Sequence, residues 1–247
     1  FLPARLGAMR IIHHAGAPMP GALLDRLEAT LPWVRFIEHY GQSETGQITL
    51  RPPEFNHSKR ESAGRPVAGI ETRIVDHDGA ELPPGLIGEL VTRGPHVLQG
   101  YWNDPEQTEA AFRYGDGWLA TGDLGRCDSD GFITLVDRAK DMIVSGAENI
   151  YPIELENALY HHPDVAECAV FGIPDERWGE VPAAHVVLRP GATVDKIALA
   201  AHIEAEIGRW KRPRLIEFVP TLPKTAIGKI QKNVLREPYW RHRSRLI

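Results

Sequence analysis

The pattern of apolar residues and turns changes near Pro52, and this change constrains the fold more than any other feature. Beyond it the chain consists of short segments with alternating apolar residues, such as residues 69–76 and 88–94, broken by frequent glycine and proline turns. Alternation with a period of two is typical of half-buried strands, and frequent turns are typical of compact all-β modules. The sequence therefore predicts a small β-barrel or sandwich at residues 51–137.

The first fifty residues, 1–50, predict the end of a parallel α/β subdomain. Residues 9–14 and 34–38 are apolar runs of strand length, and the leucines between them recur at helical spacing: Leu23, Leu24, Leu27 and Leu31. Two strands joined by a helix are expected to be parallel neighbours whose carboxyl ends meet at one edge of the sheet. Residues 16–18 and 40–41 follow these strands, so we expect them to flank a flat slot that suits an adenine ring.

Helix and strand patterns alternate again after a charged segment at residues 137–141. Helices are predicted at residues 152–160 and 194–207 and strands at 167–171, 183–188 and 214–219, with Gly208 ending the second helix. The charged segment is interpreted as a linker, so we expect a C-terminal α+β domain at residues 138–247 with a hinge at about 138–141. The predicted fold class is therefore α/β and α+β multidomain.

The composition limits which binding partners and which cellular compartment the protein is expected to have. The 247 residues carry a net charge of -5, which gives no general attraction to nucleic acid or to an anionic membrane. Cys127 and Cys168 are too few and too far apart in sequence for a zinc module. No apolar run approaches the roughly 20 residues that span a bilayer. We therefore predict a cytoplasmic protein without a transmembrane segment.

Residues 40–46, Tyr-Gly-Gln-Ser-Glu-Thr-Gly, are the first candidate site. We interpret them as a turn after a strand, where Gly41 lets a ligand approach the backbone. Ser43 then offers a hydroxyl to a phosphate, and Glu44 offers a hard oxygen to Mg²⁺. Asp123 follows another strand and can accept the hydroxyls of a ribose. A plain surface turn is the alternative interpretation of each segment.

A lysine in a glycine-containing loop is a further candidate. Lys229 follows Gly228 before a short predicted helix, but Pro223 and Ile230 replace the residues that a P-loop requires. Lys229 would therefore act as a single donor.

Three histidines lie near the predicted slot without metal-ligand spacing, so core or pocket-lining roles are favoured for them: His13, His14 and His39.

Five stretches occur in the order typical of one family: residues 40–46, 88–101, 118–123, 131–156 and 223–229. Together they resemble the adenylate-forming (AMP-binding) superfamily of acyl-CoA synthetases, firefly luciferase and peptide-synthetase adenylation domains. Residues 137–150 are most similar to the aryl- and acyl-CoA ligases. The resemblance implies an acid-CoA ligase in which a carboxylate attacks the α-phosphate of ATP and the thiol of CoA then attacks the acyl-adenylate. Its partners would be a carboxylic acid, ATP, CoA and Mg²⁺, without a tightly bound prosthetic group, and a homodimer is compatible with it.

The resemblance assigns roles to residues on the nucleotide side. Those that would contact the nucleotide are Gly16, Ala17, Pro18, His39, Tyr40, Gly41, Gln42, Ser43, Asp123, Arg138 and Lys229. Glu44 would hold Mg²⁺ and Lys229 would be the adenylation lysine, so these two are the candidate catalytic residues. A metal ion and one well-placed ammonium stabilise the negative charge that develops on the phosphoryl oxygens. Lys140 would be the hinge about which the C-terminal domain turns between the half-reactions.

Residues on the CoA side are assigned in the same way. The loop that would line a tunnel for the pantetheine arm, where small residues are needed, is Ser145, Gly146 and Ala147. Family members have a second glycine where Ala147 stands. The residues that would meet the CoA nucleotide by stacking and phosphate pairing are Trp178, Trp210 and Arg212. Alternatively, both tryptophans are core anchors and residues 211–212 form a solvated face.

One family feature is absent from the sequence, the Ser/Thr/Gly-rich phosphate loop that precedes these motifs. We therefore expect a fragment that lacks much of the acyl pocket and is inactive alone. Two alternatives stay open: adenylation followed by transfer to the phosphopantetheine of a carrier protein, and a non-catalytic nucleotide- or CoA-binding module. The acid itself, fatty or aryl, is also left open.

Overall fold

The computed structural model describes residues 6–16, 19, 21–226 and 228–241. The chain divides into two compact units, Phe1–Val136 and Asp137–Ile247. The mixed α/β character predicted from the sequence is confirmed. The first unit has two four-stranded sheets, and the second has one five-stranded sheet.

The first sheet lies at the start of the first unit. Its elements are β1 (Ile11–His14), α1 (Gly21–Thr30), β2 (Arg35–Gln42), β3 (Gly46–Arg51) and β4 (Arg65–Pro66). Strands β1 and β2 pair in parallel with His14 opposite Glu38, as the strand-helix-strand pattern predicts. Helix α1 and the sheet enclose a small core that includes Leu24, Leu31 and Phe36. Because β4 pairs with β3, this sheet continues past residue 50, where the sequence predicts a boundary.

The second sheet of this unit corrects the predicted barrel. Its elements are β5 (Glu71–Val75), β6 (Gly88–Arg93), α2 (Pro105–Ala111), β7 (Leu119–Cys127) and β8 (Ile133–Arg138). The strand order is β5-β6-β7-β8, so within the described chain the sheet is open, with β5 and β8 at its edges. Four strands are too few to close around a core, since closed barrels usually have more strands. Helix α2 begins with Asp104 as its N-cap, whose carboxylate accepts a hydrogen bond from the Gln107 amide at 2.9 Å.

The second unit is an α+β structure around one five-stranded sheet. Its elements are β9 (Ile143–Ser145), β10 (Glu148–Ile150), α3 (Pro152–His161), β11 (Val165–Asp175), β12 (Gly179–Leu188), α4 (Lys196–Ile207), β13 (Leu215–Phe218) and α5 (Lys232–Trp240). The order is β10-β9-β12-β11, and β13 pairs in parallel with β12. Residues from α3, α4 and the sheet form the core, among them Leu155, Leu159, Val170, Val186 and Ile203.

No helix in the described ranges is both long and apolar enough to cross a membrane. The longest, α4, has 12 residues. A helix of that length spans about 18 Å, well short of the roughly 30 Å hydrocarbon core of a bilayer.

Candidate functional site

The segment 40–46 is a β-hairpin and not a turn that follows a strand. Strand β2 continues through Gln42, pairs with β3, and has a bulge between Tyr40 and Gly41. The turn itself contains only residues 43–45, and the Thr45 hydroxyl accepts a hydrogen bond from the Gln42 amide at 3.1 Å. A Cβ on Gly41 would lie 1.7 Å from the Gly46 carbonyl oxygen. Gly41 is therefore required by its own hairpin, and close approach of a ligand to it stays a prediction.

Two side chains of β2 converge on Asp123 in β7. The Tyr40 hydroxyl donates to Asp123 Oδ2 at 2.6 Å, and Gln42 Nε2 donates to the same oxygen at 2.7 Å. Gln42 Nε2 also donates to the Thr121 carbonyl at 2.8 Å. Asp123 is 8% exposed and lies inside a strand, so the plain-turn alternative for this residue is wrong. The structure thus brings together three predicted nucleotide residues from two sheets.

Glu89 fixes the backbone beside Asp123, a role that the sequence analysis did not assign. Its Oε1 accepts a hydrogen bond from the Gly122 amide at 2.9 Å. Its Oε2 accepts one from the Tyr114 hydroxyl at 2.8 Å and also pairs with the Arg113 guanidinium. Glu89 is 6% exposed, and burial together with this carboxylate raises the pKa of Tyr114. A lone carboxylate in the apolar run of β6 was the available signal.

Glu44 lies in the hairpin turn and contacts the segment that leads into α2. The Tyr101 hydroxyl donates to Glu44 Oε1 at 3.0 Å, and the Leu98 amide donates to the Glu44 carbonyl at 2.8 Å. The other carboxylate oxygen, Oε2, has no hydrogen-bond partner among the residues that the structure describes. The neighbouring Ser43 is exposed. One carboxylate beside a hydroxyl fits Mg²⁺, which takes few protein ligands and completes its shell with water and substrate phosphates.

The histidines near β1 and β2 pack against each other and are not arranged as metal ligands. His13 and His39 form an edge-to-face pair with ring centroids 5.7 Å apart. Burial, with Arg51 nearby, lowers the pKa of His14 to about 4, so this ring is neutral at pH 7. Gly16 has a left-handed backbone (φ 87°), while the predicted Ala17 and Pro18 lie outside the described residues.

In the second unit, Gly146 and Trp178 are in direct contact. The Gly146 amide donates to the Trp178 carbonyl at 2.7 Å, and the neighbouring Ser145 pairs with Gly179. Gly146 has φ 64°, and a Cβ there would lie 3.0 Å from the indole ring of Trp178. Ala147 completes the turn between β9 and β10. The predicted tunnel loop and one predicted CoA tryptophan therefore share one surface.

Both tryptophans assigned to CoA are partly exposed, so the core-anchor alternative is wrong for them. Trp178 is 39% and Trp210 52% exposed. The Arg177 guanidinium lies 4.7 Å from the Trp178 ring centroid, and Lys211 lies 5.0 Å from that of Trp210. Arg212 donates to Glu204 Oε2 at 3.1 Å, so a phosphate would compete with this carboxylate for the guanidinium.

The predicted hinge segment is held by contacts within the second unit. Arg236 of α5 donates to the Lys140 carbonyl at 3.1 Å and forms an ion pair with Asp141. Asp137 Oδ2 accepts a hydrogen bond from the Ile153 amide at 3.0 Å, at the start of α3. These contacts hold both ends of the charged segment, and Arg138 and Lys140 lie between them.

Lys229 lies at the end of a closed turn with an exposed side chain. The Thr225 amide donates to the Lys229 carbonyl at 2.8 Å, and the Lys229 amide donates to the Thr225 hydroxyl at 3.1 Å. Lys229 and Arg138 belong to the second unit, whereas Asp123 and Glu44 belong to the first.

An ion pair that the sequence analysis did not identify, with side chains 17% and 15% exposed, follows Lys229 by three residues. Lys232 Nζ lies 2.7 Å from Glu156 Oε1 and joins α5 to α3. The Val170 amide also donates to Glu156 Oε1 at 2.8 Å. Burial raises the pKa of Glu156, and Lys232 opposes that shift.

Comparison with known families matches both units. The family model described as AMP-binding enzyme matches residues 2–102, and that described as AMP-binding enzyme C-terminal domain matches residues 154–229. Among curated relatives, the feruloyl-CoA synthase of Amycolatopsis sp is 41% identical over 238 residues, which are 96% of this chain and 48% of that protein. The 2-succinylbenzoate--CoA ligase of Geobacillus kaustophilus is 42% identical over 90% of this chain and 44% of its own length. The chain spans about half the length of the curated relatives it matches.

Solved structures with the same fold include nucleotide-bound synthetases. The o-succinylbenzoate CoA synthetase of Bacillus subtilis, in complex with its acyl-adenylate intermediate, has a TM-score of 0.85 and 37% identity over 93% of this chain and 46% of that chain. ATP-bound MatB of Rhodopseudomonas palustris has a TM-score of 0.88 and 35% identity over 96% and 47%, respectively. The Bacillus subtilis synthetase is also known in complex with ATP and a magnesium ion, with a TM-score of 0.82 and 36% identity over 92% and 46%.

Proposed function

Because this chain belongs to the AMP-binding enzyme family, we propose that it forms the nucleotide-handling part of an ATP-dependent acid-CoA ligase. The observation that carries the proposal is the convergence of Tyr40 and Gln42 on the buried carboxylate of Asp123. Burying a carboxylate costs free energy unless donors satisfy it, and here two donors from another sheet aim at one oxygen. Such an oriented carboxylate suits recognition of vicinal hydroxyls.

Asp123 would accept the hydroxyls of the ribose. A carboxylate has about four lone-pair directions, so it can accept ribose hydroxyls in addition to the hydrogen bonds from Tyr40 and Gln42. The ring of Tyr40 would face the adenine, with residues 16–18 on the opposite side as the resemblance implies. Arg138 would add a second contact to the ribose.

Glu44 would hold Mg²⁺ through its carboxylate, and Ser43 would contact a phosphate. When bound, the ion would screen the charge on the phosphates and on the leaving pyrophosphate. Lys229 would contribute a single ammonium without giving up its proton. Its charge would stabilise the phosphoryl oxygens while the acid carboxylate attacks the α-phosphorus and the bond to pyrophosphate breaks.

The second half-reaction would use the surface formed by Gly146 and Trp178. The CoA thiolate attacks the acyl carbon and AMP leaves with the electron pair of the broken mixed-anhydride bond. Gly146 leaves room for a pantetheine arm because it lacks a Cβ. The exposed ring of Trp178 offers a stacking face.

A hinge at Lys140, a homodimer and a cytoplasmic location stay predictions.

The test of the proposed function uses the full-length protein, by which we mean the product of the whole reading frame that contains this chain. Isotope exchange between pyrophosphate and ATP should require a carboxylic acid and should not require CoA. A panel of fatty and aryl acids would identify the substrate. Exchange without added acid, or its absence with every acid while AMP still binds tightly, would favour the non-catalytic binding module.

A carrier-protein acceptor is the second candidate. It is favoured by the Arg212–Glu204 ion pair, which occupies a guanidinium assigned to the CoA nucleotide. A fatty acid--[acyl-carrier-protein] ligase, ScoC of Streptomyces coeruleorubidus, is also 38% identical over 92% of the chain and 44% of its own length. Comparing free CoA with a carrier protein bearing phosphopantetheine as acceptor of the acyl group would separate the two candidates.

A further inference from the structure

Glu44 carries a long side chain on a hairpin turn, where the residue is partly buried, and the proposed metal role requires a fixed orientation of its carboxylate. Its own hairpin does not supply it, because the neighbouring Thr45 hydroxyl is used by the Gln42 amide. The orienting contact comes from 57 residues further along the chain, where the Tyr101 hydroxyl donates to Glu44 Oε1 at 3.0 Å. The Leu98 amide holds the Glu44 backbone from the same segment.

Tyr101 is itself held by the start of helix α2. Its amide donates to the Thr108 hydroxyl at 2.9 Å, and that hydroxyl donates to the Asp104 carbonyl at 2.8 Å. Asp104 is also the N-cap of α2, through its hydrogen bond from Gln107. A helix terminus therefore places the phenol, and the phenol places the carboxylate.

We propose that Tyr101 is a positioning residue that holds Glu44 Oε1 and so presents Glu44 Oε2 to the divalent cation of the metal–ATP complex. This inference rests on the proposed function. Fixing one oxygen removes rotamer freedom that a long acidic side chain otherwise loses on binding. Outer-shell hydrogen bonds of this kind orient metal ligands in proteins.

The test compares Tyr101→Phe with the unaltered full-length protein, with Mn²⁺ as a spectroscopic probe. Electron paramagnetic resonance measures Mn²⁺ binding in the presence of ATP, and calorimetry measures AMP binding separately. Tyr101→Phe should weaken Mn²⁺ binding about ten- to a hundredfold. AMP affinity should stay within about twofold of the unaltered value, because AMP lacks the phosphates that share the metal.

Tyr239→Phe is the matched control, since it removes a tyrosine hydroxyl contact, with His185 Nε2 at 3.3 Å, in the second unit, whereas Glu44 and Asp123 belong to the first. Mn²⁺ binding should be unchanged in this variant. The inference is overturned if Tyr101→Phe binds Mn²⁺ as the unaltered protein does, if it loses AMP affinity equally, or if the unaltered protein binds no Mn²⁺ with ATP. Tyr101-dependent Mn²⁺ binding without acid-dependent pyrophosphate exchange would support the inference and reject the proposed function.

Discussion

The carboxylate of Asp123 shows how a single residue depends on its neighbours. It accepts hydrogen bonds from two side chains of β2, and its backbone lies beside Gly122, which Glu89 holds. Replacing one carboxylate oxygen with an amide nitrogen would keep one acceptor for Tyr40 and Gln42 but would put a donor where the ribose hydroxyls need an acceptor. Much of the binding free energy at this position should therefore depend on charge and acceptor count.

Asp123→Asn should weaken AMP binding by about 1–3 kcal/mol, because the ribose hydroxyls lose a charged acceptor. Calorimetric titration with AMP measures the loss. Asp130→Asn is a matched control in the same unit, since Asp130 is an exposed partner of Lys59 and such pairs contribute little. Equal AMP affinity of Asp123→Asn and the unaltered protein would remove Asp123 from the ribose site.

The contact of Gly146 with Trp178 gives a second prediction for a single residue. Gly146→Ala places a Cβ against the indole ring at a left-handed backbone position, which costs about 1 kcal/mol or more of stability. Thioester formation should fall while adenylate formation is spared. Gly191→Ala is the control, because Gly191 has φ 81° and no atom within 4 Å of the added Cβ. Equal losses in both half-reactions would argue against a tunnel role.

Residue types were predictable from the sequence, but not all of their reasons were. The sequence identifies Tyr40, Asp123 and Gly146 as candidates by type and order. It attributes Gly41 to ligand approach, whereas the hairpin itself leaves no space for a Cβ. Hydrogen bonds such as Tyr101 to Glu44 join positions 57 residues apart, and no local pattern encodes them.

At the scale of elements, the largely buried pair of Glu156 and Lys232 connects two helices of the second unit. Removing one partner of a buried pair leaves an uncompensated charge. Burial already raises the pKa of Glu156 above its ordinary value of 4.5. A carboxyl with a raised folded-state pKa stabilises the fold most fully below the unfolded value, and this contribution is lost as pH rises through the folded value.

Lys232→Met should therefore destabilise the full-length protein by about 3–5 kcal/mol at pH 8 and by less at pH 5, because protonation of Glu156 would remove the unpaired charge. Thermal unfolding at the two pH values measures this difference. Lys224→Met is the matched control, because the Lys224–Glu167 pair has both side chains 37% exposed and should contribute less than about 1 kcal/mol. A loss independent of pH would contradict the buried-charge explanation.

Helix ends were predicted better than strand partners. Gly208 ends α4 as expected, while α4 begins at Lys196 because Asp195 is its N-cap. Caps depend on residues within one turn, so local sequence encodes them.

The barrel prediction failed because alternation identifies strands but does not say which strands pair or whether a sheet closes. Strand β11 extends through Pro174 because an outer strand tolerates a missing donor.

At the scale of the whole molecule, the two family matches cover the two units and follow the motif order read from the sequence. The chain spans about half the length of the curated relatives it matches. The groups proposed for ribose, metal, phosphoryl oxygens and thiol all lie in this chain, and the substrate panel identifies the acid.

The most direct test of the account is to measure both half-reactions of Lys229→Ala in the full-length protein. Lys224→Ala is the control, because Lys224 lies in the same loop region and pairs with Glu167. Adenylate formation should fall by about a hundred- to a thousandfold, as when one preorganised charge-stabilising group is removed. Thioester formation from supplied acyl-adenylate should stay within about threefold of the unaltered rate, since that step forms no new phosphoryl bond. Equal loss in both half-reactions, or unimpaired adenylation, would contradict the assignment of this chain to acid activation.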